Sequence, residues 1–366
     1  CDRRQRQMCI RDRKKGVEKM KKLLLGGSPC TFWSIAQTQH REITAEGEGW
    51  ELFKNYLIAK KKFKPDFFLY ENNKSAALPI KQQICHELGA DLIYINSSLV
   101  SAQNRERFYV CNWINEQPKE RHIVLKDILE GGVPWNDKSY CLTASYGGAT
   151  LSNTLDRKQR TMIAEPVIYD TPRRLGMFGN NSQTNRIYSI YGKSPCICTG
   201  SYNGYVAYDK RHNKEYPVYE VKDGVIIVKN KKCKIRLPDG LYIIRKLTPL
   251  ECERLQTMPD NYTAAVSNTR RYRALGNGWT AEVIIHLLKT GLATVSRNEK
   301  LIVLSMYDGI ATGRYCLDKL GFNNITYYAY EIDKYAIKIA QSNYPDIIEM
   351  GNAFDVRNDE WHLDIN

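Results

Sequence analysis

Nowhere in the 366 residues is there the roughly 20-residue apolar run that a bilayer-spanning helix needs. The basic N-terminal stretch is followed by no apolar segment of useful length, so the secretory pattern is missing too. The eleven cysteines include no C-x-x-C pair, and their number is odd. That spacing excludes the common zinc and redox motifs and argues for reduced thiols in a cytoplasmic setting rather than a disulfide framework. Cys196 and Cys198 form a lone C-x-C without the second pair a zinc site requires, so no metal is expected. The glycine loop in "SMYDGIATG" is not followed by GK[ST], so it is not a phosphate-binding P-loop. No internal repeat is present.

What the chain does have is positive charge. It carries 54 Lys and Arg against 40 Asp and Glu, a formal +14. With 43% apolar and 26% charged residues it reads as a globular domain whose surface suits a polyanion, most simply nucleic acid. Part of the excess lies in residues 1–19. There "RRQRQMCIRDR" has neither hydrophobic period nor turn logic and looks like an in-frame translation of a transposon-type sequencing adapter. We therefore expect residues 1–19 to be a non-native leader and translation to start at Met20. The other reading is a basic arm touching phosphates.

Along the rest, residues 22–27 read as a short buried strand. Trp50, Phe53, Leu57 and Ile58 mark a helix by their period. "PDFFLYENN" is a strand ending at Glu71. "LPIKQQICHELGA" is a helix closed by Gly89, and "DLIYINSSLV" a strand. "SAQNRERFYVCNW" is a polar loop entering a strand near Phe108. Alternating strands and helices predict an α/β sheet covered on its faces. From 129 to 245 Gly, Asn, Ser, Tyr and Pro dominate and helical period is absent. Order returns at Thr248, which with Glu251 forms a capping box. "GNGWTAEVIIHLLKTGL" reads as a loop and a helix. The last segment reads strand, glycine loop, helix, strand, helix, strand.

Several residues stand where chemistry is placed. "SMYDGIATG" follows a strand and opens a helix, and Glu331 ends the next strand about twenty residues after Asp308. A glycine turn plus an acid for ribose hydroxyls is Rossmann logic, although many such turns are glycine-rich only for packing. In "LLLGGSPC", Cys30 lies past a strand's C-terminal end behind Pro29. It is either a small buried thiol or an exposed, aimed nucleophile. Glu71 is either a loop acid or a carboxyl that hydrogen-bonds a ring nitrogen. In "QNRER", Arg105 and Arg107 point one way in extended chain, as a charged strand edge or as a grip on phosphate or carbonyl oxygen.

Taken together the segments resemble the DNA cytosine-5 methyltransferases. "GGSPC" is similar to that family's nucleophile motif, "ENN" to its ENV motif and "QNRER" to its Q-x-R-x-R motif. "RKLTPLECERLQTMPDNY" resembles its ninth motif, "GNGWT" its tenth and "MYDGIATG" its cofactor loop. The resemblance covers nearly everything from Met20 onward except the middle segment. Most members place the glycine loop first and the cysteine after it; here the order is reversed. The resemblance therefore implies a circularly permuted, Rossmann-like S-adenosylmethionine-dependent methyltransferase sheet, broken between the family's third and fourth strands, with a small irregular target-recognition domain. The expected division is catalytic domain over 20–128, target recognition over 129–245, and the rest of the catalytic domain over 246–366. Asn73 replaces the ENV valine, and Asn352 stands where an aspartate is usual.

The resemblance also implies a mechanism. A cytosine turned out of duplex DNA is attacked at C6 by Cys30, Glu71 gives N3 a proton, Arg107 with Arg105 holds the O2 side, and C5 takes the methyl group of S-adenosylmethionine. The cofactor is expected along Tyr307, Asp308, Gly309, Ile310, Gly313, Glu331, Ile332 and Asn352, with Trp50, Leu52, Asn277 and Trp279 completing the wall. DNA contacts are expected from Ser28, Gln37, Arg173, Arg174, Asn185 and Arg186. Double-stranded DNA is the implied partner, a cognate restriction endonuclease a further one, with no membrane and no metal, and the chain a monomer in the cytoplasm of a bacterial or phage-infected cell. Two other readings stay open: methylation of transfer RNA, and an inactive DNA-binding relative. "GGSPC", where the RNA branch has a doubled proline, and the intact Cys30, Glu71 and Arg107 weigh against them.

Overall fold

Leu23, Leu24 and Leu25 are completely shielded from solvent. A strand covered on both faces needs apolar residues at every position, not at alternate ones, and usually has parallel neighbours. That is where this leucine run goes. The computed structural model describes residues 20–35, 39–167, 174–177, 186–188, 206–209 and 214–363, with backbone only for 174–177, 186–188, 206–209 and 214–216.

In chain order, β1 (Lys21–Gly26) leads to a 3-10 turn (Cys30–Phe32), then α1 (Gly47–Phe63), β2 (Phe67–Asn73), α2 (Leu78–Leu88), β3 (Leu92–Asn96) and β4 (Glu106–Cys111). Two short helices, α3 (Leu125–Ile128) and α4 (Leu151–Leu155), precede a β-rich segment. It comprises β5 (Met162–Pro166), β6 (Arg174–Met177), β7 (Arg186–Tyr188), β8 (Val206–Asp209), β9 (Lys214–Lys222), β10 (Val225–Val228), β11 (Lys231–Lys234) and β12 (Gly240–Lys246). Then come α5 (Pro249–Leu255), α6 (Asn268–Asn277), α7 (Ala281–Gly291), β13 (Leu301–Met306), α8 (Thr312–Lys319), β14 (Ile325–Tyr330), α9 (Lys334–Asn343) and β15 (Ile348–Gly351).

Seven strands form one mixed sheet in the order β15-β14-β13-β1-β2-β4-β3. The first five run parallel, and β4 is antiparallel to both its neighbours. Leu24 lies opposite Leu304 on one side and Phe68 on the other. Alternate residues face opposite ways. Leu24, Leu304, Phe68 and Tyr70 pack with α1 and α2, while Leu23, Leu25, Val303 and Leu69 pack with α7, α8 and α9. Each buried leucine of β1 contributes about 1.5–3 kcal/mol of apolar burial. The expected α/β sheet with helices on its faces is present.

Three local expectations change. β2 continues through Asn73 instead of ending at Glu71, because β4 pairs with it along 69–73. α6 occupies Asn268–Asn277, where no element is expected, and the "GN" that reads as loop forms its last turn. The middle segment is not irregular throughout: β11-β10-β9-β12-β5, with β8 against β9, form an antiparallel sheet. Its two tight turns, Asp223–Gly224 and Lys229–Asn230, have positive φ at both central residues, as two-residue hairpins of this hand require. The capping box at α5 forms as expected: Glu251 N donates to Thr248 Oγ1 at 3.1 Å, and Thr248 N to Glu251 Oε2 at 2.8 Å. Among the described residues no helix is long and apolar enough to cross a membrane.

Candidate functional site

The C-terminal ends of β1, β2, β13 and β14 open on one cavity of about 450 Å³. Parallel α/β sheets bind ligands at this edge. Cys30, Glu71, Arg105 and Arg107 line it at one end; Tyr307 to Ile310, Glu331, Ile332 and Asn352 line it at the other.

At the first end, the chain leaves β1 through two glycines and reaches Cys30 behind Pro29, whose φ is −49°. The Cys30 carbonyl accepts from Trp33 N at 3.1 Å and Ser34 N at 3.0 Å, which sets the 3-10 turn. Burial raises the Cys30 thiol above its usual pKa; Arg107 and Arg105 oppose that rise, while Glu71 adds to it. Ser28 is buried, and its hydroxyl meets Tyr70 OH at 2.7 Å. Asn72 donates to the Ser28 carbonyl at 2.9 Å and to Tyr70 OH at 3.0 Å. The Ser28 side chain therefore turns inward and fastens the cysteine loop to β2, which corrects the expectation that it faces DNA. The middle residue of "ENN" has the same fastening task, which the sequence reading missed.

Glu71 on β2 and Arg107 on β4 are diagonal neighbours on one face of the sheet, within reach of long side chains. Arg107 Nε lies 3.2 Å from Glu71 Oε1, and both side chains are largely buried. The indole Nε1 of Trp279 donates to Glu71 Oε2 at 3.0 Å. Arg105 does not join Arg107 in facing a base with free donors. It is 3% exposed and spends its guanidinium on the carbonyls of Leu142, at 2.8 Å, Gly276, at 3.3 Å, and Gly278, at 2.8 Å. The reason is register: Arg105 lies just before β4, where its side chain meets the turn after α6. Cys141 lies beside both arginines, its Sγ 3.4 Å from Arg105 Nη1. Burial pushes that thiol up, but the two guanidiniums outweigh it and hold it below its usual range. Nothing in the spacing of Cys141 signals this.

At the other end, the loop after β13 takes positive φ at Tyr307, Gly309 and Ala311. At Gly309 (φ 67°) a β-carbon would meet no atom within 4 Å, so the backbone there faces open space. Tyr307 OH donates to the Leu52 carbonyl at 2.8 Å and accepts from Asn55 at 3.0 Å. Glu331 holds the loop: Oε2 accepts from Gly309 N at 2.9 Å, and Oε1 from Ile332 N and Asp333 N, both at 2.8 Å. Burial raises Asp308 to about 6, and Tyr327 donates to its Oδ1 at 2.6 Å. Asn352 Oδ1 accepts from Phe354 N at 3.0 Å, and Phe354 lines the cavity as well.

Leu52, Asn277 and Trp279 also line the cavity. Gly313 and Trp50 are not among the residues lining it. Gly313 is a packing glycine, since a β-carbon there would sit 2.7 Å from Leu25 Cδ1 and Tyr327 OH. Trp50 is buried against Phe53, ring centroids 4.8 Å apart. Arg270 and Arg273 of α6 line the mouth, Arg270 stacked over Tyr335 at 4.1 Å; neither was foreseen, because α6 itself was not. Arg174 and Arg186 lie on β6 and β7, of which only the backbone is described. Gln37, Arg173, Asn185, Cys196 and Cys198 lie outside the described residues. Among the described residues no group of acids, cysteines and histidines could hold a metal ion.

Residues 5–291 match the family model described as C-5 cytosine-specific DNA methylase. The chain is similar to the orphan methyltransferase M.SPRI of Bacillus phage SPR, at 26% identity over 76% of this chain and 84% of that protein. It is similar to the type II methyltransferase M.HhaI of Haemophilus parahaemolyticus, at 25% identity over 73% of each chain. A third relative is the type II methyltransferase M.NlaX of Neisseria lactamica, at 26% identity over 75% of this chain and 78% of that protein.

Proposed function

The chain belongs to the C-5 cytosine-specific DNA methylases, and from that premise we propose that it methylates a cytosine turned out of duplex DNA, with Cys30 as nucleophile and S-adenosylmethionine as methyl donor. The observation that carries the reading is the shared cavity: Cys30 and the Glu71–Arg107 pair open into the same space as the Tyr307–Ile310 loop, Glu331 and Asn352.

A cytosine within a duplex hides its ring, so it must leave the stack to meet Cys30. The thiolate adds to C6. The electron pair displaced from the C5=C6 bond needs a proton at N3, and Glu71 supplies it. Arg107 holds the carboxyl from one side and faces the Cys30 thiol, whose ionisation it favours. Addition makes C5 an enamine carbon, and expulsion of Cys30 after loss of the C5 proton restores the ring and the enzyme.

The residues at the far end fit S-adenosylmethionine. Asp308 and Glu331 suit a cation and ribose hydroxyls, open backbone at Gly309 admits close approach, and Ile310, Ile332 and Phe354 offer apolar surface to a purine. When bound there, the group supplies an electrophilic methyl on a sulfonium. Asn352 retains a free lone pair on an amide oxygen already anchored to Phe354 N, enough to accept from an adenine amino group.

Circular permutation is part of this proposal. Two findings support it: β1, which carries the cysteine, pairs directly with β13, which carries the glycine loop, and the family match stops at 291, before that loop. The β-rich part of 129–245 is the proposed target-recognition region, with Arg174 and Arg186 on its strands as contacts to bases or phosphates.

The test is transfer of tritiated methyl to duplex DNA and, in parallel, to transfer RNA, followed by bisulfite sequencing. Label on C5 of cytosine in duplex DNA is expected. Label confined to RNA, or none from a folded preparation, overturns the reading.

A further inference from the structure

Glu71 is held on both carboxylate oxygens, and the second holder comes from a distant part of the chain. Arg107 takes Oε1, and the Trp279 indole takes Oε2 at 3.0 Å. The family resemblance groups Trp279 with the cofactor wall, yet its one polar side-chain atom points at the base-activating acid. An indole N–H is a donor only, so it meets a carboxylate oxygen in a single sense.

The turn that presents this ring is pinned on both sides. Arg105 Nη2 donates to the Gly278 carbonyl at 2.8 Å and the Gly276 carbonyl at 3.3 Å. Gln256 Nε2 donates to the Leu275 carbonyl at 2.6 Å. Just beyond, Thr280 Oγ1 donates to Gln256 Oε1 at 2.9 Å. On the other flank of Glu71, Gly27 leaves room for Oε2, which would lie 3.1 Å from a β-carbon at that position. A carboxyl gripped only by Arg107 can pivot about that contact. Gripped by Trp279 as well, its plane is fixed.

We propose that Trp279 is a positioning residue for Glu71, and that Arg105 acts on catalysis through this turn and ring rather than on the cytosine. The inference rests on the proposed role of Glu71 in activating the ring, and it adds a route by which the segment after α6 sets the geometry of that acid.

The test uses duplex DNA carrying tritium at C5 of cytosine, without S-adenosylmethionine. Addition of the Cys30 thiolate to C6 with a proton at N3 lets C5 take a proton from water. Loss of tritium from C5 and expulsion of the thiolate then release the label to solvent. This exchange needs Glu71 and no methyl donor. Trp279→Phe keeps an apolar ring and removes the N–H. Exchange and single-turnover methylation are expected to fall by the same factor, at least about tenfold, while KM for S-adenosylmethionine moves less than about twofold. Exchange at the wild-type rate, with a raised KM for the donor, overturns the proposal and returns Trp279 to the cofactor wall. If Trp279→Phe folds poorly in a thermal melt, benzothienylalanine at position 279 exchanges N–H for sulfur within the same ring outline, and the same two outcomes decide. A wild type that neither exchanges tritium nor methylates DNA overturns the role of Glu71 itself, an outcome the variants alone cannot produce.

Discussion

Gly27 approaches Glu71 so closely that a β-carbon on it would lie 2.6 Å from the Glu71 carbonyl oxygen and 3.1 Å from Oε2. Backbone on one strand end and carboxyl on the next share a space with no room for a methyl group. Gly27→Ala must push Cys30 and Glu71 apart. A displacement near 1 Å at a reacting centre costs about 10²-fold in rate. We expect that loss in single-turnover methylation of duplex DNA, with the cofactor end of the cavity still binding S-adenosylmethionine by calorimetry.

Cys30 supplies a pH signature. Its thiol is raised by burial despite two arginines, so little thiolate exists near neutrality. For free enzyme, kcat/KM should climb about tenfold per pH unit from 7 to 8, because the nucleophile is the deprotonated form. A flat profile would remove Cys30 ionisation from the rate. Cys30→Ala should lose more than about 10³-fold in turnover and form no covalent adduct with 5-fluorocytosine DNA, which traps the wild type.

Asp308 links the proposed cofactor loop to stability. Burial, with Glu331 nearby, raises its carboxyl from 3.8 to about 6. The native state thus holds a proton that the unfolded chain has released between about pH 4 and 6. Stability falls as pH rises across that window and stays lower above it, by at most about 3 kcal/mol. Asp308→Asn removes the cost. In urea unfolding, the variant's advantage over wild type should be larger at pH 7.5 than at pH 4.5. An equal gap at both would mean that the carboxyl titrates normally.

Arg105 and Arg107 should separate in their effects. Arg105→Ala strips partners from the carbonyls of Leu142, Gly276 and Gly278, in a site with almost no solvent. The Gly278 carbonyl keeps Gln256 Nε2 at 3.3 Å, but those of Leu142 and Gly276 are left bare. Buried acceptors in that state cost about 1–3 kcal/mol each, and a loss of about 2 kcal/mol or more is expected by calorimetry. Arg107→Ala leaves that turn intact and should cost less stability but more turnover.

The sequence made Cys30, Glu71 and Glu331 legible because each stands near or just past the C-terminal end of a recognisable buried strand, where a sheet of this type places its ligands. Asn352 follows β15, an edge strand that is only half-buried. α6 was hidden by its own position. Leu275 and Gly276 are its only fully buried residues, and its polar face lines the cavity mouth, so no apolar stripe betrays it. The Asp223–Gly224 and Lys229–Asn230 turns carried a readable signal: two-residue polar pairs on either side of the apolar run VIIV. The grip of Trp279 on Glu71 spans 208 positions and exists only once the sheet has closed.

The placement of β1 has a consequence for how the protein is made. Its three leucines leave the ribosome long before Leu301–Met306, the strand β13 that covers one of their edges. At synthesis rates of about 5–20 residues per second, that edge waits roughly 15–60 s for its partner. A bare, wholly apolar strand edge is a template for wrong pairing. Yield in the cell should therefore respond to chaperone supply more than to the thermal stability of the finished enzyme.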